Sequence, residues 1–304
     1  MLILVVILCA LFGSTFIFGA VGLAYAQLLF FIAVRMIIAG CLLLGYTLVR
    51  AQKRRITIRD VAPFLMMGAT FILFPYIAES FALQYLPAAK VSLLWSLEAF
   101  VTALFSWKYF GERMTTRKWL GMIIGFVGLI PVLMHQGGRE LLLHSLAGFS
   151  TADVMLVSCV ILTSYSWITF RRLLHAGYSA VQINGIAMLT GGLLALLGSL
   201  AFESWTPVPI NPVSAWHIVA ACIGALIIIG NLICYNLYGF LLKRYTATFL
   251  SVSCGSIPFF TALFEWLFLG RIVSYAFVLS FAAVCIGLFI FHREELRQGY
   301  GKHL

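Results

Sequence analysis

Apolar residues run through this chain in long stretches, with no period of two. Charged or proline-containing joints mark off ten runs, near residues 2–22, 28–49, 61–83, 88–110, 117–135, 152–172, 178–202, 215–241, 247–269 and 273–292. Each is close to the roughly 20 residues a helix needs to cross a hydrocarbon core about 30 Å thick. Strands of a membrane barrel would alternate polar and apolar residues over about ten positions, and these runs do not alternate. The pattern predicts an all-α integral membrane protein with ten transmembrane helices, numbered 1 to 10 in chain order.

The apolar pattern also repeats. FVTALFSWKYFG at 100–111 returns as FFTALFEWLFLG at 259–270, an offset of 159 residues. At that offset, residues 76–111 and 235–270 match without gaps at twelve of 36 positions, including Tyr76/Tyr235, Phe81/Phe240, Ala88/Ala247 and Ser92/Ser251. The matched stretches belong to helices 3 and 4 in one half and 8 and 9 in the other. Five helices separate the copies. Because five is odd, the second copy enters the membrane from the opposite side, which makes the halves inverted repeats. The expected organisation is a first five-helix repeat over 1–135, an external connecting loop over 136–151, a second repeat over 152–292 and a cytoplasmic tail over 293–304.

Composition agrees with burial in lipid. The chain is 62% hydrophobic and 10% charged, against about 45–50% and about 25% in soluble domains. Its net charge of +10 would suggest nucleic acid, but its placement is that of an orientation signal. With the N-terminus inside, sixteen of the twenty Lys and Arg fall in cytoplasmic joints, from Arg50, Lys53, Arg54, Arg55 and Arg59 to Lys108, Arg113, Arg117 and Lys118 and on to Arg297 and Lys302. Only Lys90, Arg139 and Arg271 fall in the opposite joints, so both termini are expected in the cytoplasm. The seven cysteines all lie within predicted spans, without Cys-x-x-Cys or His-cluster spacing, and read as small packing residues.

Several of these features together resemble the drug/metabolite transporter superfamily in its EamA-type branch. The resemblance rests on Phe12-Gly13-Ser14 in helix 1, Arg35 in helix 2, Gly111-Glu112-Arg113 after helix 4, Gly121 to Gly128 in helix 5, and Ser256-Ile257-Pro258 leading into the second copy of the repeated stretch. It implies ten helices in two inverted five-helix repeats, cytoplasmic termini, and a mid-helix break at Pro258. In helix 4 the corresponding place reads Leu97-Glu98-Ala99, and the joint after helix 9 reads Gly270-Arg271 where the family usually has Gly-Glu. Ser14 becomes a candidate substrate contact through this resemblance.

Polar side chains inside spans supply the other candidates, since a charged group at a helix centre costs about 2.5–3.5 kcal/mol on insertion scales. Arg35 and Glu79 fall in the outer third of helices 2 and 3 and form a candidate pair, structural or gating. Glu98 stands at the midpoint of helix 4, and with Trp95 and Thr102, at i, i+3 and i+7, it shares one helical face. It either holds a cationic group, carries a coupling proton, or braces a neighbouring helix. Asn231, Tyr235 and Tyr238 share a face of helix 8, as substrate contacts or interhelical glue. Trp167, beside Thr163, Ser164, Tyr165 and Ser166 in helix 6, suits either a substrate or the interfacial belt. Lys90 and Glu265 are expected to snorkel to outer water, and Gly121 and Gly125 to let helices approach closely.

No catalytic constellation, phosphate-binding loop or metal-ligand set is present in the sequence, so neither an enzyme nor a cofactor is expected. The expected function is secondary transport of a small organic metabolite by alternating access, through a central cavity between the repeats. The resemblance alone suggests an amino acid or related zwitterion. An exporter of cationic or lipophilic drugs and a non-transporting scaffold or partner subunit are the alternatives. The expected partners are a small-molecule substrate, the lipid bilayer and a proton or counter-substrate, with no nucleic acid. The expected location is a bacterial inner membrane.

Overall fold

A computed structural model describes residues 2–50, 57–110, 113–134, 145–146, 149–204, 206–208, 214–242 and 253–297. The joint residues Gly111, Glu112, Arg139, Lys243, Arg244 and Lys302, the loop 51–56 and the start of helix 9 lie outside the described residues, as does the side chain of Trp167. Helix 1 is Leu2–Leu23 and helix 2 is Leu28–Val49. Helix 3 joins Ile58–Met67, Gly68–Leu73 and Phe74–Tyr85, and helix 4 joins Ala88–Trp95 to Glu98–Phe110. Helix 5 joins Thr116–Gly128 to Ile130–Met134, helix 6 is Thr151–His175 and helix 7 is Ala180–Phe202. Helix 8 joins Ser214–Ala225, Leu226–Cys234 and Tyr235–Leu242, helix 9 is Ile257–Leu269 and helix 10 is Tyr275–Arg297. Among the described residues nine helices are long and apolar enough to span, and Ile257–Leu269 is a shorter apolar one. A two-residue ladder, Ser145–Leu146 with Phe149–Ser150, is the β structure among the described residues.

The chain forms two compact units, each drawn from both halves: Met1–Ile17, Tyr85–Val160 and Leu237–Leu304 in the first, Phe18–Gln84 and Ile161–Asn236 in the second. In the second unit, helices 2 and 7 touch at the backbone. A Cβ added to Gly40 would stand 2.7 Å from Leu189 N and 2.9 Å from Gly185 O, and one added to Gly192 would stand 2.8 Å from Ile37 N. In the first unit, helices 5 and 10 meet in the same way, since a Cβ on Gly121 would lie 2.7 Å from Gly287 O. Lipid gives helices no hydrophobic reason to associate, so close backbone approach at small residues has to supply the dispersion energy. Gly121 meets helix 10 and Gly125 meets Phe100, so both glycines serve close approach as expected.

These contacts also fix direction. Gly40 meets Leu189 while the earlier Ile37 meets the later Gly192, so helices 2 and 7 run antiparallel. Gly121 and Gly128 of helix 5 meet Gly287 and Ala283 of helix 10 in the same reversed order. Each pair is five helices apart in the chain, and reversed partners five apart are what inverted repeats require. Local irregularities repeat too. Helix 3 loosens into a π segment at Gly68–Leu73 and helix 8 at Leu226–Cys234; shifted by 159, the first range falls inside the second. Helix 4 turns out of α geometry at Ser96 and Leu97, helix 9 at Gly255 and Ser256, which are the same two positions after that shift.

Three expectations change. Helix 4 is not continuous over 88–110, so the face argument for Trp95, Glu98 and Thr102 loses its premise. Lys90 and Glu265 do not snorkel, being 4% and 2% exposed. Both are held by protein rather than water: Lys90 Nζ lies 3.3 Å from both carboxylate oxygens of Asp153, which also accepts from Ser150 N and Oγ. Glu265 accepts from Ala88 N at 3.1 Å and Ala89 N at 2.9 Å, capping helix 4 from helix 9, with Arg271 Nη1 at 3.4 Å. Glu203 does the same for helix 2, accepting from Leu29 N and Phe30 N. The first amides of a helix have no intrahelical acceptor, so a carboxylate there supplies both hydrogen bonds and the charge that the helix dipole favours.

Candidate functional site

The second unit encloses a polar network built by helices 2, 3 and 8. Asn231, in the π segment of helix 8, is 0% exposed. Its Oδ1 accepts from Arg35 Nε at 2.9 Å, and its Nδ2 faces the sulfurs of Met36 at 3.7 Å and Met188 at 3.5 Å. Arg35 lays its guanidinium over Tyr76, 4.8 Å from the ring centroid. The Tyr76 hydroxyl is 3.2 Å from that of Tyr235. Glu79, one turn beyond Tyr76 and half-buried, acts electrostatically on both phenols. A buried guanidinium is thereby stabilised by one charge-assisted hydrogen bond and one aromatic face, the latter contributing about 2 kcal/mol when desolvated.

The network sits on the symmetry element of the repeat. Tyr76 and Tyr235 are equivalent residues, 159 apart, and a residue can touch its own counterpart only where the two-fold axis passes between them. Helices 2 and 7 correspond at an offset of 152, because that shift exchanges the contacts Gly40 with Leu189 and Gly192 with Ile37. The same shift turns Met36 into Met188, the two sulfurs that flank Asn231. The polar pair itself is not duplicated. Arg35 corresponds to Ala187 and Asn231 to Ile72, and both of these apolar residues are 0% exposed.

The first unit contains the two broken helices. At the helix 4 break, Ser96 N donates to Leu93 O, Leu97 N to Leu94 O and Phe100 N to Leu97 O, a three-residue spacing that overwinds the chain. Glu98 begins the second segment, half-buried, where the dipole favours a carboxylate. The Trp95 indole N–H is buried and has no acceptor among the described residues. In helix 9 the segment after the break begins at Ile257 with Pro258 in its first turn, where a missing N–H leaves nothing unpaired. Pro258 thus starts the second segment, and the irregular turn lies just before it. Ser14 in helix 1 donates back to Leu11 O at 2.7 Å, while the neighbouring Gly13 O accepts from Thr261 Oγ1 at 3.4 Å.

Of the candidates read from the sequence, Arg35, Asn231 and Tyr235 come together in one network. Tyr238 is half-buried on the next turn of helix 8. In helix 6, Ser166 Oγ lies 2.6 Å from Thr70 Oγ1. The hydroxyls of Thr163 and Ser164 are buried without a hydrogen-bond partner among the described residues, whereas Tyr165 faces outward at 38% exposure. The residue missed as a site member is Tyr76. Its identity with Tyr235 at the repeat offset was the available signal.

Comparison with known proteins bears on the whole chain. The EamA-like transporter family model matches residues 1–134 and 150–293. The S-adenosylmethionine/S-adenosylhomocysteine transporter of Chlamydia muridarum (strain MoPn / Nigg) is 30% identical over 295 residues, covering 95% of this chain and 91% of that one. The protein of the same name from Chlamydia trachomatis serovar L2 is 30% identical over 293 residues, covering 95% and 88%. A crystal structure superposes with a TM-score of 0.68 over 97% of each chain at 19% identity, a likeness of fold. A match in both halves, on a fold of reversed helix pairs with broken and loosened helices at equivalent places, identifies this multi-pass membrane protein as a transporter rather than an enzyme and a member of the EamA-like transporter family.

Proposed function

We propose that the chain is a secondary transporter of S-adenosylmethionine and S-adenosylhomocysteine, exposing its substrate alternately to the two sides of a bacterial inner membrane with both termini in the cytoplasm. The observation that carries this reading is the 30% identity, along nearly the whole chain, to transporters named for that pair. The chemistry of the interior supports it. Both compounds join an amino-acid zwitterion to adenosine, and the former adds a sulfonium cation; a buried guanidinium suits the carboxylate, and aromatic faces suit adenine and the cation. The substrate is therefore an amino-acid derivative rather than a common amino acid. Inverted repeats give the motion a basis, since exchanging the conformations of the halves turns one open state into the other.

The test is uptake of labelled S-adenosylmethionine into liposomes that contain only this protein, with and without S-adenosylhomocysteine inside. Uptake accelerated by internal S-adenosylhomocysteine supports exchange of the pair. Flux no greater than in protein-free liposomes refutes the reading.

A further inference from the structure

We propose that Arg35 binds the α-carboxylate of the transported substrate and that Asn231 is the positioning residue that aims it, an inference that rests on the substrate reading above. Asn231 is itself oriented, because its amide nitrogen is committed to the sulfurs of Met36 and Met188, which leaves its oxygen facing Arg35 Nε at 2.9 Å. The guanidinium plane is fixed a second time by the Tyr76 ring at 4.8 Å. With Nε held and the plane fixed, the edge left for a bidentate partner is the pair Nη1 and Nη2. That edge matches the two oxygens of a carboxylate and would not be reproduced by lysine.

Structural bracing is the competing explanation, and the repeat weighs against it. The equivalent slot is filled by Ala187 and Ile72, both fully buried, so this packing position closes without any polar group. The repeat architecture itself therefore does not call for a cation at this position. Its direct partners among the described residues, Asn231 and the Tyr76 ring, are neutral. An incoming carboxylate supplies the direct anionic partner that a guanidinium in low dielectric favours.

The experiment compares uptake of S-adenosylmethionine with that of decarboxylated S-adenosylmethionine, which keeps the adenosine, sulfonium and amine and lacks only the carboxylate. In wild-type liposomes the first should be preferred by roughly 10- to 100-fold in kcat/KM, the range for a charge-assisted bidentate contact. Arg35→Lys should collapse that preference at least tenfold, mainly through KM, and Asn231→Leu should do so in part. The double variant Arg35→Ala/Asn231→Ile copies the opposite slot, so it should fold, elute as wild type and show no preference. Equal losses for both compounds in Arg35→Lys, or an unchanged preference, overturn the role of Arg35 while leaving the substrate reading intact. Wild-type protein that moves neither compound overturns both.

Discussion

Replacing Glu265 by alanine removes the acceptor on which two amides at the start of helix 4 depend. The carboxylate is 2% exposed and accepts from Ala88 N and Ala89 N at 3.1 and 2.9 Å. Exposed helix caps are worth about 0.5–2 kcal/mol because water replaces the lost side chain. Here water has little access, and each orphaned buried amide costs about 1–3 kcal/mol. Two amides give about 2–6 kcal/mol for Glu265→Ala. Glu265→Gln keeps one accepting oxygen and loses the charge, so it should cost about half as much. Arg271→Ala, removing a partner whose side chain is 60% exposed, should cost at most about 1 kcal/mol. Reversible unfolding in mixed detergent and SDS micelles measures all three. If Glu265→Ala lies within about 0.5 kcal/mol of wild type, or if Arg271→Ala costs as much as Glu265→Ala, the capping account is refuted.

Other expectations follow from single contacts. A Cβ on Gly287 would lie 2.5 Å from Gly121 O, so Gly287→Val should separate helices 5 and 10 and lower stability by about 1–3 kcal/mol in the same assay. Breaking the buried Lys90–Asp153 pair with Lys90→Met or Asp153→Asn should cost about 3–5 kcal/mol each, with a double-mutant cycle showing the losses to be far from additive. Glu98→Gln should weaken substrate binding if Glu98 holds the cationic group, and should spare exchange while abolishing accumulation driven by a pH gradient if it carries the coupling proton; wild-type transport with unchanged pH dependence in liposomes leaves it a bracing residue. Reporter fusions after Arg59 and Lys118 should be cytoplasmic and a fusion near Gly138 external, with the opposite pattern reversing the orientation.

The ten helices were legible because hydrocarbon imposes one length and one polarity on every span, and the inverted repeat was legible because enough identical residues survive at one offset. What escaped were features decided between helices. The π segments carry no signature of their own in the apolar pattern, since Gly68–Leu73 and Leu226–Cys234 read as the apolar middle of an ordinary span. Ser96 and Leu97 are not helix breakers by type, so the turn in helix 4 could be suspected only from its glycine-containing counterpart in helix 9. Lys90 and Glu265 sit near the interface in sequence, where water is the default partner; an aspartate in helix 6 and two amides of helix 4 take its place. For the site, hydropathy singled out Arg35 and Asn231 as anomalies, but their meeting across 196 residues depends on helices 2 and 8 lying side by side.

A carrier whose two halves were chemically identical would have no resting preference, because its inward-open and outward-open forms would be the same object turned over and would have equal energy. This chain departs from that degeneracy at many positions, and beside the axis the departure is a polar one: Arg35 and Asn231 fill one slot, Ala187 and Ile72 fill the other. The side of the membrane on which such a carrier waits for its cargo then depends on the side chains in which the halves differ, this pair beside the axis among them, rather than on the fold they share. Moving the polar pair from one slot to the other, with Arg35→Ala, Asn231→Ile, Ala187→Arg and Ile72→Asn, should shift the balance between the two open states, while the remaining differences between the halves keep them unequal.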